Sequence, residues 1–256
     1  MLPTVWAMIS GDDMRKIFTA VALIAFAASP VMAKVPAKGH PAVSKLDRVF
    51  DYDMIQAQVP YFEHIFGPAW KVDEAVRTYK IDGCQVTLNT AGNDIQSIGL
   101  KLSDTCTFDL NKFLRVDSKL PSANKLTFGD LYNVSIGGNA EFYGECMPIN
   151  CGNAADPYVT AHYDLPHVLQ YLEINASVDY TNEAASEPED KWQAEVGKRV
   201  GERNPSDDDY NCGNQTYGVS AERNKFPMQV FKPVKITSIE VGYHLTVPKC
   251  EAKGTK

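Results

Sequence analysis

The chain has 256 residues, 44% of them hydrophobic, and a formal charge of −7 from 25 basic and 32 acidic side chains. That hydrophobic share excludes a chain disordered throughout and suffices for one large core or two modest ones. Lys and Arg do not gather on one stretch, so the basic footprint that neutralises phosphates is missing, nucleic acid is not expected as a partner, and an acidic extracytoplasmic protein fits better.

The N-terminus sets the expected compartment. Met14, Arg15 and Lys16 form a basic start, Ile17 to Ala27 is an apolar run, and Val31-Met32-Ala33 supplies the small residues a signal peptidase reads. Cleavage after Ala33 is therefore expected, and the apolar run falls short of the roughly 20 residues a spanning helix needs. Asp12 and Asp13 do not suit a signal peptide, so Met14 competes with Met1 as the initiator. No cysteine stands at the cleavage point to carry a lipid, and no membrane span is expected after cleavage. The protein is expected to be periplasmic or secreted.

Cys84, Cys106, Cys146, Cys151, Cys212 and Cys250 all fall in the expected mature part. An even count in an exported chain favours disulfides over zinc, and no C-x-x-C or suitably spaced histidine argues otherwise. Sequential pairing is expected: Cys84 with Cys106, Cys146 with Cys151, Cys212 with Cys250.

Residues 34–45 are rich in Pro, Lys and Ala without periodicity and read as a linker that holds His40. A weakly helical segment, Leu46 to Gln58, precedes a short helix opened by Pro60, with Phe62, Ile65 and Phe66 as its apolar stripe. Gly67 and Pro68 stop it. Three strands follow, Val76 to Ile81, Cys84 to Thr90 and Ile95 to Leu102, joined by turns at Asp82-Gly83 and Gly92-Asn93. Val86, Leu88, Ile98, Leu100 and Leu102 point to one side, and Gln85, Thr87, Asn89, Ser97 and Lys101 to the other. The second side is polar, with short side chains, and is expected to face solvent or a partner.

A helix ending in Gly-Pro and followed by three hairpin-connected strands resembles the small α/β module of the outer-membrane assembly lipoproteins of the SmpA/OmlA type and of the β-lactamase-inhibitory proteins. The residues that carry the resemblance are Phe62, Ile65, Phe66, Gly67, Pro68 and Trp70, then Tyr79, Cys84, Val86, Ile98 and Leu100, within about residues 50–110. It implies a binding module whose sheet face is offered to another protein. The anchor cysteine of the lipoproteins is absent.

Beyond the module, residues 108–122 suggest one helix with Leu110, Phe113 and Leu114 inward, and Leu126 to Leu131 suggests a turn into a second region. Gly144 to Pro157 reads as a cysteine-stapled loop. Tyr158 to Tyr163 and Gln170 to Tyr180 alternate as strands, the latter with Leu172, Ile174, Ala176, Val178 and Tyr180 on one face. Ser186 with Glu189 reads as a capping box for a helix carrying Trp192, Val196 and Val200. Met228 to Val247 reads as a long strand, or a pair split near Pro233, that closes a second sheet.

Three sets of residues invite chemistry. Asp207, Asp209 and Asn211 have the spacing of calcium ligands, but Cys212 stands where the calcium loop needs glycine and Gly218 where it needs a bidentate Glu, so a solvated acidic loop is expected instead. His162, Asp164 and His167 could supply a base with an orienting acid, yet no nucleophile elbow, zincin motif or phosphate loop accompanies them. Of the aromatic cluster Tyr61, Phe62, Phe66 and Trp70, core is the expected place, and Trp70 is the member best set to anchor a partner.

The expectation is an α+β fold of antiparallel sheets packed by a few helices and stapled by disulfides. It divides into an extension plus signal peptide (1–33), the linker (34–45), the helix-helix-three-strand module (46–122) and a second, Cys-rich region (123–256). The expected function is an exported, non-catalytic protein-binding module, an inhibitor or an envelope assembly accessory, with no cofactor and with another envelope or extracellular protein as partner. Its contact residues would be Trp70, Gln85, Thr87, Asn89, Ser97 and Lys101. The competing expectation is an exported hydrolase using His162, Asp164 and His167.

Overall fold

The computed structural model describes residues 44–115, 119–147, 157–165, 172–179, 182–202, 204–212 and 220–248. The expected signal peptide and the linker up to residue 43 lie outside them, as do Cys151, Cys250, His167 and Tyr180.

Local chemistry accounts for the first elements. Ser44 caps α1 (Lys45–Val49), its hydroxyl accepting from the Asp47 N–H at 2.9 Å. The expected continuation to Gln58 breaks at Asp51, whose carboxylate caps a separate 3₁₀ turn at Tyr52–Met54. Helix α2 (Val59–Phe66) opens with Pro60 and stops at Gly67, where φ 91° and ψ 171° are open only to glycine. Strands β1 (Lys71–Asp73), β2 (Val76–Ile81), β3 (Cys84–Ala91) and β4 (Asp94–Lys101) then form an antiparallel meander. Asp82 and Gly83 both take positive φ, 50° and 84°, the turn that matches strand twist and fixes the β2–β3 register. β1 was not foreseen, because its three residues are all exposed and carry no alternation.

Several expectations for the chain after β4 are corrected. The helix expected within 108–122 is only α3 (Leu110–Leu114), ended by Arg115 in the left-handed conformation; Leu110 and Phe113 do point inward. The stretch read as a turn is α4 (Phe128–Val134), because Thr127 and Asp130 form a reciprocal capping box. Ser186 and Glu189 cap nothing: α5 (Glu183–Val200) starts earlier, where the Asn182 side chain accepts from the Ala184 N–H, and it runs on through Pro188. Strands β5 (Glu141–Glu145), β6 (Tyr158–Leu165) and β7 (Leu172–Asp179) precede α5, and the helices α6 (Asp207–Asn211) and α7 (Ser220–Phe231) follow it. The long strand expected over 228–247 is the end of α7 followed by β8 (Ser238–Gly242). Met228 and Phe231 are three residues apart, so a helix brings both onto the core while a strand would not.

Among the described residues all eight strands belong to one antiparallel sheet of order β1-β2-β3-β4-β8-β7-β6-β5, so the last of them sits at the centre and the strand expected to close a second sheet instead completes the first. At that seam Gly242 pairs with Ser97, and any Cβ there would collide with the Gln96 carbonyl and the Ser97 backbone. One face of the sheet is apolar and lies under the helices. Phe50 stacks on Phe108 and Phe62 packs against Tyr79 below the first half. Phe128, Phe142, Trp192, Tyr210 and Phe231 form the aromatic centre below the second. The expected Cys84–Cys106 disulfide ties the start of β3 to the loop before α3. Cys146 and Cys212 are also disulfide-bonded. Their expected partners, Cys151 and Cys250, lie outside the described residues. Among the described residues no helix is long and apolar enough to cross a membrane.

Candidate functional site: the open face of the sheet

Strand alternation turns every second residue away from the helices, and the pairing registers extend the resulting polar face across both halves. One row reads Thr87, Gly99, Glu240, Asn175, His162 and Glu141, a residue from each of β3, β4, β8, β7, β6 and β5. The five strand residues expected to face a partner all lie here. Trp70 stands at the entrance to β1, 62% exposed, so its expected core placement is corrected; the Lys80 ammonium lies 4.0 Å from its ring centroid.

A groove of about 420 Å³ crosses this face from β2 to β5. Gln85, Thr87, Asn89 and Lys101 line its first half. Ser97 does not reach it: it is buried beneath, its hydroxyl donating to Glu240. Asn89 donates to the same Glu240 oxygen at 2.6 Å and to Ser97 Oγ at 3.0 Å, so the carboxylate is held in place by neutral donors. Gly99, opposite Glu240, leaves the floor without a side chain. In the second half Tyr143 donates to Glu141 at 2.5 Å and Tyr158 donates to Glu145. Burial, reinforced by those carboxylates, raises both phenols far above their ordinary pKa, so they remain donors at any physiological pH.

The chain after β8 turns at His244 and forms the far wall of the groove. Asn175 Nδ2 donates to the Thr246 carbonyl at 3.1 Å, and the Leu245 N–H donates to Glu173 at 2.6 Å, fixing this segment over β7. The first of these bonds orients a third group. With its amide nitrogen spent on a carbonyl, Asn175 presents Oδ1 to His162 Nδ1 at 2.8 Å, so Nδ1 carries the proton and Nε2 is the free acceptor of the neutral ring. Asp164 Oδ1 lies 3.8 Å from Nε2. Both line a second cavity of about 670 Å³ at the corner between β6 and α7, where the described lining includes no Ser, Thr or Cys. His167, the third member of the expected trio, lies outside the described residues.

Asp207, Asp209 and Asn211 turn to three different groups. Asp207 accepts from the Cys146 and Met147 N–H groups at 2.9 and 3.1 Å, Asp209 accepts from the Ser206 N–H at 2.8 Å, and Asn211 exchanges two 2.9 Å bonds with the Gly144 backbone. With Asn224, which accepts from the Phe142 N–H at 2.9 Å, Asn211 pairs the outer edge of β5 and closes it to further strands. Among the described residues no three His, Cys, Asp or Glu side chains are grouped to hold a metal ion.

Sequence reasoning missed Glu240, Tyr143, Glu145, Tyr158, Asn175 and Ser177. The signal was present as the polar members of strands whose apolar members were read, but only the central insertion of β8 joins them to Thr87 and Asn89. No family model, no curated protein and no solved structure matches this chain.

Proposed function

We propose that the protein is an exported, non-catalytic protein-binding module, periplasmic or secreted, whose contact surface is the open face of its sheet. The observation that carries this reading is the groove running from β2 to β5 over short polar side chains, on the face that no helix among the described residues covers. Rigid strands hold such a surface at little conformational cost on binding, which suits recognition of a folded partner. The resemblance of residues 50–110 to modules that offer a sheet face to another protein points the same way. Affinity capture from an envelope extract with the oxidised protein tests it. A stoichiometric protein partner, lost when the bait carries Ser177→Trp in the groove, is expected; capture that ignores this substitution overturns the surface assignment.

A second reading rests on the fixed tautomer of His162 beside Asp164 in the corner cavity, an arrangement able to accept a proton. It requires turnover of a small ester or amide that His162→Gln abolishes while the fold persists.

A further inference from the structure

The open face is electrically divided. In the strand rows β5 to β8 contribute six carboxylates, Glu141, Glu145, Asp164, Glu173, Asp179 and Glu240, and no Lys or Arg. In the rows of β1 to β4 stand Lys71, Lys80 and Lys101 against Asp73, with Asp94 at the β3–β4 turn. Hydrogen bonds hold most of the carboxylates without neutralising them: tyrosines reach Glu141 and Glu145, Asn89 and Ser97 reach Glu240, and a backbone N–H reaches Glu173. Asp179 has Lys101 at 3.9 Å, and Asp164 has the His162 ring at 3.8 Å. Lys225 of α7 and Lys232 just after it share the corner cavity with Glu141 and Asp164, and Arg223 of α7 is buried over the Tyr143 ring, so the carboxylates farthest from these cations are those of the groove.

We infer that the partner docking on this face is a polypeptide that presents Arg and Lys side chains to the β5–β8 half. The inference rests on the sheet-face reading above and adds the chemistry of the partner and its orientation. A guanidinium forks onto a carboxylate whose position is already fixed, so Glu145 and Glu240, held in the groove by neutral donors, offer it ready acceptors. The excess negative charge steers a basic surface to this half and away from Lys71, Lys80 and Lys101, and salt within about 8 Å screening weakens that steering.

A displayed library of random peptides, selected on the oxidised protein, tests the inference and separates its failure from that of the sheet-face reading. Clones are first sorted by loss of binding to the charge-neutral block Ser177→Trp. Among the clones so lost, enrichment in Arg and Lys is expected, with at least tenfold weaker binding to Glu145→Gln combined with Glu240→Gln and little change with Glu183→Gln combined with Asp190→Asn on α5. Groove-dependent clones that lack basic residues, or that bind the two double variants equally, overturn the basic partner and leave the sheet-face reading standing. A selection without groove-dependent clones overturns both.

Discussion

The two halves of the sheet are built by different means. Strands β1 to β4 follow one another through short turns, each pairing with its neighbour in sequence, and the Cys84–Cys106 bond secures the result. Strands β5, β6 and β7 also pair in chain order, but helices α5, α6 and α7 then intervene before β8 returns to lie between β4 and β7. The first half is held by local hairpins and a covalent link, the second by aromatic packing around Trp192 and by side chains that finish its edge. The comparison teaches that one continuous surface can be assembled from two locally paired meanders joined by a single strand whose place is decided by tertiary packing.

Trp192→Ala should strike the second half hardest. The side chain is 1% exposed and packs on Phe142, Tyr210 and Phe231, so about 4 kcal/mol should be lost. Because both halves share one sheet, denaturation followed by far-ultraviolet dichroism and by aromatic fluorescence should still give one coincident transition; separate transitions would break the two-halves-one-sheet description. The first half should depend on its covalent link almost as much. Replacing Cys84 and Cys106 by Ser releases a loop spanning 22 residues in sequence and should cost about 3 kcal/mol in denaturant midpoint analysis.

A smaller, pH-dependent effect belongs to Glu189 of α5. It is 5% exposed, its Oε1 has no hydrogen-bond partner among the described residues, and burial, then Asp190 and Asp179, push its carboxyl from the ordinary 4.5 up to about 7. A carboxyl raised on folding favours the folded state below its unfolded value and loses that contribution as pH rises through the folded one. The difference in Tm between wild type and Glu189→Gln should therefore shift in favour of the variant between pH 4.5 and 8; a difference independent of pH would show that Glu189 is not protonated in the fold. The smallest effect is expected at the opposite edge. Trp70→Ala removes an exposed ring and its contact with Lys80, and stability should change by only about 0.5 kcal/mol.

Legibility in the sequence followed the same division. Asp82-Gly83, the Gly67-Pro68 stop and the alternation of Val86, Leu88, Ile98 and Leu100 placed β2, β3, β4 and α2 nearly to the residue, because each signal acts between near neighbours. The α+β class was legible for the same reason, and the disulfide character from the even number of cysteines. Met228 to Val247 was misread because β-branched residues recur along it, while the contacts of Met228 and Phe231 with distant residues select a helix for its first part. For the site, Thr87, Asn89 and Gln85 were legible from alternation, and His162 with Asp164 from composition. That all of them lie on one face required the β4–β8 and β8–β7 pairings, which no local pattern announces.

The central claim, that the open face is the contact surface, is tested most directly by carbodiimide coupling of carboxylates on the protein alone and with its captured partner, read by peptide mass spectrometry. The account predicts that Glu145, Asp179 and Glu240 lose reactivity in the complex while Glu183 and Asp190 on α5 react as before. Protection of the α5 carboxylates with the strand carboxylates unchanged would contradict it.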